Sequence, residues 1–390
     1  MFNLQALLSA GPVFFDGGTG TVLQAMGLAP GARCEAWNLT RPSDIIAHHR
    51  AYLAAGAQIL KTNTFGANRL HFGDGLREVA AAGVRCAKEA VALEGTAAYI
   101  AKAPMAFVAL DIGPLGKLVD FDLAFEEAIA LFRETIEAGA GEADLILIET
   151  MGDTQEVRAA IIAAKEAAPG LPILCTLTFE ASGRLLSGAT PQAAAAILEG
   201  MGVQAVGINC GAGPERARQI LPQLLEQTRL PVIVNPNAGL PRMEGARAVY
   251  DLSPENFALQ CEELFQMGAS VLGGCCGTAP AHIAALTALL KGKKINPPQN
   301  KKPPKGEKPP LEAWEDCIAG PREVLPLSQA DPDDLEEYDP EEPSFEPIKI
   351  TGDDPAALEA LLRGYNGRAL VAAPAWAAPL VEKYGGILAR

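Results

Sequence analysis

The chain has 390 residues, of which 49% are hydrophobic and 20% are charged, and its formal net charge is −15. This composition is typical of a soluble globular protein with a large core, built as one large α/β domain with an appendage or as two domains. The negative charge argues against a general binder of nucleic acid or of anionic membranes, because both need a basic face.

Eight cysteines in a chain of this length are too sparse for a disulfide scaffold. Residues 1–5 lack the basic region that opens a signal peptide. The apolar stretch 369–381 is too short to span a bilayer and contains prolines. We therefore expect a cytoplasmic protein with neither membrane nor nucleic-acid partners.

Short apolar runs typical of buried strands alternate with helical patterns along the first 290 residues. The runs lie at 13–16, 58–64, 106–111, 145–150, 173–179, 205–210, 232–237 and 270–274. The clearest helical patterns lie at 121–138, 154–168, 190–200 and 254–267. Asp153, Thr190 and Ser253 are placed as N-caps of the last three.

This alternation predicts a parallel sheet covered by helices, and eight units match an α/β fold of the (β/α)8 or TIM-barrel type. An open doubly wound sheet fits less well. No G-x-G-x-x-G motif follows the first strand of this chain. In addition, polar residues end almost every run, whereas an open sheet would have them only at its switch point. The active site of a barrel lies at the carboxyl ends of its strands.

Three cysteines occur at these predicted strand ends. Cys210 ends one run, and Cys275 and Cys276 stand between glycines after the last run. Three converging thiolates would leave a zinc ion with one open position, as catalytic zinc sites do. Adjacent strand residues point to opposite faces, so Cys275 and Cys276 can share a metal only where the strand has ended. Taken alone, Cys210 is better explained as a small buried apolar residue than as a metal ligand.

The composition changes after residue 290. Residues 291–347 are rich in proline and charge, which predicts an acidic, Pro-rich linker. Residues 348–390 regain a β-α-β-α rhythm but are too few for an independent domain, so we expect them to dock as a short extension. The predicted organisation is a barrel over 1–290, a linker over 291–347 and an extension over 348–390.

Six motifs in order resemble the homocysteine S-methyltransferase family, and most closely its cobalamin-dependent methionine synthase branch. They are Asp-Gly-Gly-Thr-Gly-Thr at 16–21, Trp-Asn-Leu-Thr-Arg-Pro at 37–42, Thr-Asn-Thr-Phe-Gly-Ala-Asn at 62–68, Gly-Ile-Asn-Cys-Gly at 207–211, Asn-Pro-Asn-Ala-Gly-Leu-Pro at 235–241 and Gly-Gly-Cys-Cys-Gly-Thr at 273–278. Betaine-dependent relatives have a tyrosine where this chain has Gly66. The extension is similar to part of a pterin-binding barrel, but Ala372 and Ala373 replace that family's Asn-Ser, so we expect no folate binding.

The resemblance implies that Cys210, Cys275 and Cys276 bind Zn²⁺, with the Asn237 amide oxygen as a displaceable fourth ligand. Asp16 and Glu149 correspond to the carboxylates that hold the substrate ammonium. A salt bridge to an internal lysine or arginine is the other explanation for two buried acids. The remaining expected substrate contacts are the backbone amides of Gly17 and Gly18 and the side chains of Asn63, Thr64, Asn209 and Asn235.

The sequence thus predicts a zinc-dependent methyltransferase that converts homocysteine to methionine. The expected methyl donor is a methylcorrinoid (methylcobalamin) carried by a separate protein. One alternative is an enzyme that uses S-methylmethionine or another small donor. The other alternative is a non-catalytic thiol- or zinc-binding partner module.

Overall fold

A computed structural model describes residues 2–101, 106–211, 213–244, 247–295, 324–326, 349–351, 354–365 and 369–388. Eight of its strands form one parallel sheet. In chain order these are β1 (Val13–Phe14), β2 (Ile59–Lys61), β3 (Phe107–Ile112), β4 (Leu145–Met151), β5 (Ile173–Leu177), β6 (Ala205–Cys210), β7 (Val232–Pro236) and β10 (Val271–Leu272).

The sheet closes on itself, which confirms the predicted barrel. The strand order is β1-β10-β7-β6-β5-β4-β3-β2, and a parallel bridge between Phe15 and Ile59 joins the two outer strands. Phe2 and Leu4 pack against inward-facing residues of the strands, such as Val13 and Ala205. The amino-terminal helix therefore contributes to the core inside the barrel and leaves the carboxyl ends of the strands for a site.

After the amino-terminal helix Leu4–Ser9, the helices cover the outside of the barrel and follow the strands in the predicted alternation. They span Leu4–Ser9, Thr19–Ala25, Trp37–Thr40, Pro42–Ala54, Arg69–Phe72, Leu76–Ala101, Phe125–Gly139, Thr154–Ala167, Pro191–Gly200, Pro214–Gln227, Pro254–Met267 and Pro280–Leu290. The predicted caps are confirmed, since the side chains of Asp153, Thr190 and Ser253 each accept a hydrogen bond from a first-turn amide.

Two strands are shorter than the apolar runs that predicted them. β1 ends at Phe14 and β10 at Leu272, whereas the runs continue to Asp16 and Gly274. The polar and glycine residues at these ends leave the sheet and turn toward the barrel mouth. An antiparallel hairpin, β8 (Pro241–Glu244) with β9 (Arg247–Tyr250), also follows β7 without having been predicted.

The extension forms a second parallel sheet in the order β11 (Val324–Pro326), β12 (Lys349–Thr351), β13 (Leu370–Ala372) and β14 (Ile387–Leu388). Its helices are Pro355–Gly364 and Ala378–Lys383. β11 lies within the segment interpreted as a linker, most of which is outside the described residues.

The extension packs against the barrel helix Thr154–Ala167. Leu358 and Leu362 join the main hydrophobic cluster of the barrel. The fully buried Arg158 donates to the carbonyl oxygens of Leu362 and Arg363 at 3.1 and 3.3 Å, where the helix Pro355–Gly364 ends. Cationic donors at a helix carboxyl end satisfy carbonyls that have no partner within the helix. The expected docking of the extension is therefore explained by apolar burial and a helix cap.

No helix in the described part of the chain is both long enough and apolar enough to cross a bilayer.

Two adjacent histidines on the helix Pro42–Ala54 are buried with no hydrogen-bond partner among the described residues. The rings of His48 and His49 pack edge to face, with their centroids 5.3 Å apart. Burial lowers the pKa of His48 to about 4, with the Lys61 charge as a smaller cause, and holds the pKa of His49 well below its usual value. The folded protein therefore keeps both rings neutral at a pH where the unfolded chain protonates them.

We expect this pair to make the protein acid-labile. Below about pH 6.5 the unfolded state binds more protons, so the free energy of unfolding falls by about 1.4 kcal/mol per pH unit for each histidine. Replacing both residues with phenylalanine should reduce this dependence between pH 6.5 and 5, measured by urea unfolding. Equal pH dependence in wild type and variant would contradict it.

Candidate active site

Three cysteine sulfur atoms lie together at the carboxyl ends of β6 and β10. The Sγ atoms of Cys210, Cys275 and Cys276 are all within 4.8 Å of one another. Zn–S bonds of about 2.3 Å place sulfur atoms about 3.8 Å apart in a tetrahedron, so this separation is within easy reach of one zinc ion. The described residues contain no other cluster of three or more His, Cys, Asp or Glu side chains that could hold a metal.

Unusual backbone conformations bring these sulfur atoms together. Cys210 has a φ of +60°, in the left-handed region that few non-glycine residues adopt. Gly277 has a φ of +78°, and a Cβ atom there would lie 2.2 Å from the Tyr250 ring. The chain therefore turns sharply after Cys276, with the Tyr250 ring packed against that turn, as the flanking glycines allow.

The three neighbouring thiols shift one another's pKa values. Contacts from the Cys275 and Cys276 thiols hold the pKa of Cys210 far below its usual value. Contacts with Cys210 and Cys275, together with burial, raise the pKa of Cys276. The thiolate is the form that binds metals, so a lowered pKa at Cys210 favours metal binding by the cluster.

The side chain of Asn237 is oriented toward this cluster. Its amide nitrogen donates to the Gly211 carbonyl oxygen at 2.6 Å. Its Oδ1 is buried without a hydrogen bond from any described group. A buried amide oxygen without a donor has the chemistry of a weak metal ligand, and three sulfur ligands with one oxygen ligand would be a donor set that zinc accepts.

Three carboxylates and one ammonium group occupy the neighbouring strand ends. Asp16, Asp111 and Glu149 are each at most 4% exposed. Burial raises the pKa of Asp16 and of Glu149 to about 7, and that of Asp111 well above its usual value. Each acid has one oxygen that accepts no hydrogen bond within the described structure. The pocket therefore favours a further cation.

The ammonium group belongs to Lys61, at the end of β2. Its Nζ lies 3.6 Å from Glu149 Oε2, an ion-pair contact longer than a hydrogen bond, and donates to the Gly274 carbonyl oxygen at 3.2 Å. The internal salt bridge considered for Glu149 is therefore present. One lysine offsets one of three carboxylates, so it leaves the pocket negative when all three are ionised.

A β-bulge directs Glu149 into the site. The pairing of β4 with β5 is irregular between Ile148 and Met151, and Thr150 has a φ of +64°. Asn209 holds this bulge, because its Oδ1 accepts from the Thr150 amide at 2.9 Å and its Nδ2 donates to the Thr150 hydroxyl at 2.6 Å. Bulges commonly redirect a side chain next to an active site. The expected substrate contact Asn209 thus also supports Glu149.

The other expected substrate contacts divide into two groups. Asn235 is fully buried, and neither of its side-chain polar atoms has a partner among the described residues, so it stays a candidate. By contrast, Asn63 donates to the Cys34 carbonyl and to Asn38, and Thr64 donates to the Asp111 carbonyl. These last two side chains serve to fix the strand ends.

The backbone amides of Gly17 and Gly18, the two remaining expected contacts, also differ in whether the structure gives them a hydrogen-bond partner. The Gly18 amide donates to the Thr278 hydroxyl at 3.0 Å, so its hydrogen already has a partner within the protein. The backbone at Gly18 approaches the loop 273–277, called the metal loop below, very closely. A Cβ on Gly18 would lie 2.6 Å from the Cys275 carbonyl oxygen. The Gly17 amide is left as the candidate.

Sequence reasoning missed Lys61, Asp111 and Tyr250 as parts of this site. A lysine directly after Ile59 and Leu60 in a buried strand was the available signal, since lysine is seldom buried without a partner. Among the remaining cysteines, Cys34, Cys86, Cys175 and Cys261 lie outside the cluster, and Cys317 is outside the described residues.

Comparison with known proteins agrees with this arrangement. A sequence model described as homocysteine S-methyltransferase matches residues 13–290. The methionine synthase of Mycobacterium tuberculosis is 32% identical over 314 residues, covering 75% of this chain and 26% of the relative. That of Mycobacterium leprae is 33% identical over 275 residues, covering 66% and 22%. The chain thus spans about a quarter of the length of these curated relatives.

A solved structure is similar over the same region. The metallated form of the homocysteine methyltransferase MmuM from Escherichia coli superposes with a TM-score of 0.63 at 28% identity. The match covers 73% of this chain and 99% of that one.

Proposed function

Because the chain belongs to the homocysteine S-methyltransferase family, we propose that it methylates the sulfur of homocysteine at the cysteine cluster, giving methionine. The convergence of Cys210, Cys275 and Cys276 within 4.8 Å is the observation that carries this proposal. Relatives named methionine synthase and homocysteine methyltransferase support it.

The three cysteines and the Asn237 oxygen would hold Zn²⁺. When bound, the ion supplies Lewis acidity that keeps the substrate thiol deprotonated at neutral pH, since a free thiol with a pKa near ~8.5 is mostly protonated there. Asn237, a neutral donor, is the ligand that the substrate sulfur would replace. The cysteines would stay in place throughout.

Asp16 and Glu149 would hold the substrate ammonium beside the cluster. Each presents a buried oxygen that accepts no hydrogen bond from a described residue. A cation placed there would favour the ionised form of both acids and offset the burial that raises their pKa values. The substrate would thus be bound at its sulfur and at its ammonium group, which orients the sulfur for in-line attack on a methyl group.

The proposed methyl donor is a methylcorrinoid carried by a separate protein. Similarity to relatives named methionine synthase and Gly66 in the second-strand motif support this choice. The test is an assay with zinc-loaded protein, homocysteine and either methylcobalamin or S-methylmethionine, with methionine detected by mass spectrometry.

We expect methionine to form with methylcobalamin, together with loss of the methylcorrinoid absorbance. Turnover with S-methylmethionine alone would refute the corrinoid donor and leave the methyl transfer intact. Homocysteine binding without turnover with any donor would indicate a non-catalytic binding module. The Cys276→Ala variant is the negative control, since it removes one of the three sulfur ligands.

A further inference from the structure

Lys61 contacts both the carboxylates of the proposed ammonium site and the residue that precedes Cys275 of the cysteine cluster. The proposed function gives Lys61 no role. Its backbone amide donates to Asp16 Oδ2 at 2.9 Å, and its ammonium group lies 3.6 Å from Glu149. The same ammonium donates to the carbonyl oxygen of Gly274 at 3.2 Å. Gly274 directly precedes the cluster residue Cys275.

The peptide group that joins Gly274 to Cys275 is fixed on both sides. Lys61 holds its carbonyl oxygen, and its N–H donates to the Pro236 carbonyl at 2.9 Å. The orientation of this peptide sets the direction in which Cys275 leaves the backbone. Lys61 thus supports a sulfur ligand from the opposite side to β7.

The charge around Lys61 makes its position sensitive to a second cation. Lys61 is the one buried lysine and Arg158 the one buried arginine among the residues described, and Arg158 is engaged with the extension. Burial by itself would lower the pKa of Lys61, but the charges of Glu149 and then Asp16 outweigh it and raise that pKa. Lys61 is therefore an ammonium shared between Glu149 and the metal loop.

We propose that Lys61 is a positioning residue that couples amino-acid binding to metal binding. A substrate ammonium that reaches Asp16 and Glu149 competes with Lys61 for Glu149, so the lysine strengthens its bond to the Gly274 carbonyl and holds Cys275 more firmly. The inference rests on the proposed zinc and amino-acid sites. It predicts that each ligand tightens the binding of the other by the same factor.

The test measures zinc affinity by competition with a chromogenic chelator, with and without 2-aminobutyrate. This amino acid has the α-carbon groups of homocysteine but no sulfur, so it can influence the metal only through the pocket. In the wild type we expect saturating 2-aminobutyrate to lower the zinc Kd at least ~5-fold, the lower end of usual coupling. In Lys61→Met we expect the zinc Kd to be about 10-fold to 100-fold higher than in the wild type. We also expect 2-aminobutyrate to leave that Kd unchanged.

A second variant gives the opposite shift. Glu149→Gln removes the charge that competes for Lys61, so without any amino acid its zinc Kd should already approach that of the wild type with 2-aminobutyrate. General damage to the site would weaken zinc binding in both variants. The control is Thr176→Val, which replaces a fully buried hydroxyl of β5 that has no partner in the described structure and should behave as wild type.

Four results would overturn the inference: no coupling in the wild type, coupling that persists in Lys61→Met, loss of 2-aminobutyrate binding in Lys61→Met, or unchanged or weaker zinc binding in Glu149→Gln. If Lys61→Met does not fold, the Glu149→Gln result decides. Wild-type protein that binds no zinc would refute the proposed function itself, whereas zinc binding without coupling would refute this inference alone.

Discussion

Replacing Cys275 with serine is expected to abolish stoichiometric zinc binding and to lower methionine formation by at least ~100-fold, which is the upper range for loss of a group that only supports a metal ligand. Serine matches cysteine in shape, so the fold should survive. Its hydroxyl is a hard donor with a far higher pKa, and it replaces a soft thiolate that zinc prefers. Bound metal is measured by elemental analysis after dialysis, and methionine by mass spectrometry.

The matched control for this change is Cys261→Ala. Cys261 is fully buried on the helix Pro254–Met267 and lies outside the cluster. Removing its sulfur should lower the free energy of unfolding without changing zinc content. One equivalent of tightly bound zinc in Cys275→Ser, or loss of zinc in Cys261→Ala, would show that the three sulfur atoms do not form the metal site.

The barrel and its cysteine cluster were predictable because of how parallel strands are arranged. Closure of the barrel brings the ends of all eight strands to one rim, so residues such as Cys210 and Cys275, far apart in sequence, become neighbours. The glycines at 273, 274 and 277 predicted a turn that allows the adjacent cysteines to bind the same metal ion. The succession of strands along the chain was therefore enough to predict which residues meet at the rim of the barrel.

Contacts set by side-chain direction were less predictable. Glu149 faces the pocket because of a bulge at Thr150, and no sequence rule identifies a threonine with positive φ in advance. The Gly18 amide donates to the Thr278 hydroxyl, and no local pattern predicts a partner so distant in sequence. Lys61 was hidden for a related reason, since an apolar run predicts a strand but not which buried charges meet its end.

The boundary of the extension was hard to predict from composition. A strand of three residues at Val324–Pro326 is defined by pairing with Lys349–Thr351, a distant segment. Proline and charge around it satisfied the usual description of a linker. Short strands that depend on a partner leave almost no local pattern.

Asp16→Asn is expected to lower kcat/KM for homocysteine by about 100-fold, or about 3 kcal/mol, because truncating a buried charge pair costs about 2–5 kcal/mol. Asn keeps the shape of Asp and can still accept the Lys61 amide hydrogen bond that Asp16 Oδ2 now accepts at 2.9 Å. It removes the negative charge that would balance the substrate ammonium. Steady-state kinetics of methionine formation measure the effect.

Two comparisons separate loss of this charge from general damage. Glu156 is a buried acid that accepts one backbone amide, from Leu115 at 2.7 Å, and burial raises its pKa to about 7 as it does for Asp16. Glu156→Gln should leave the kinetics unchanged, because Glu156 lies on the helix Thr154–Ala167 and not at a strand end. With 4-mercaptobutyrate, which lacks the ammonium group, wild type and Asp16→Asn should be equally slow. A similar loss for both thiols would mean that Asp16 supports the fold of the site and does not bind the substrate cation.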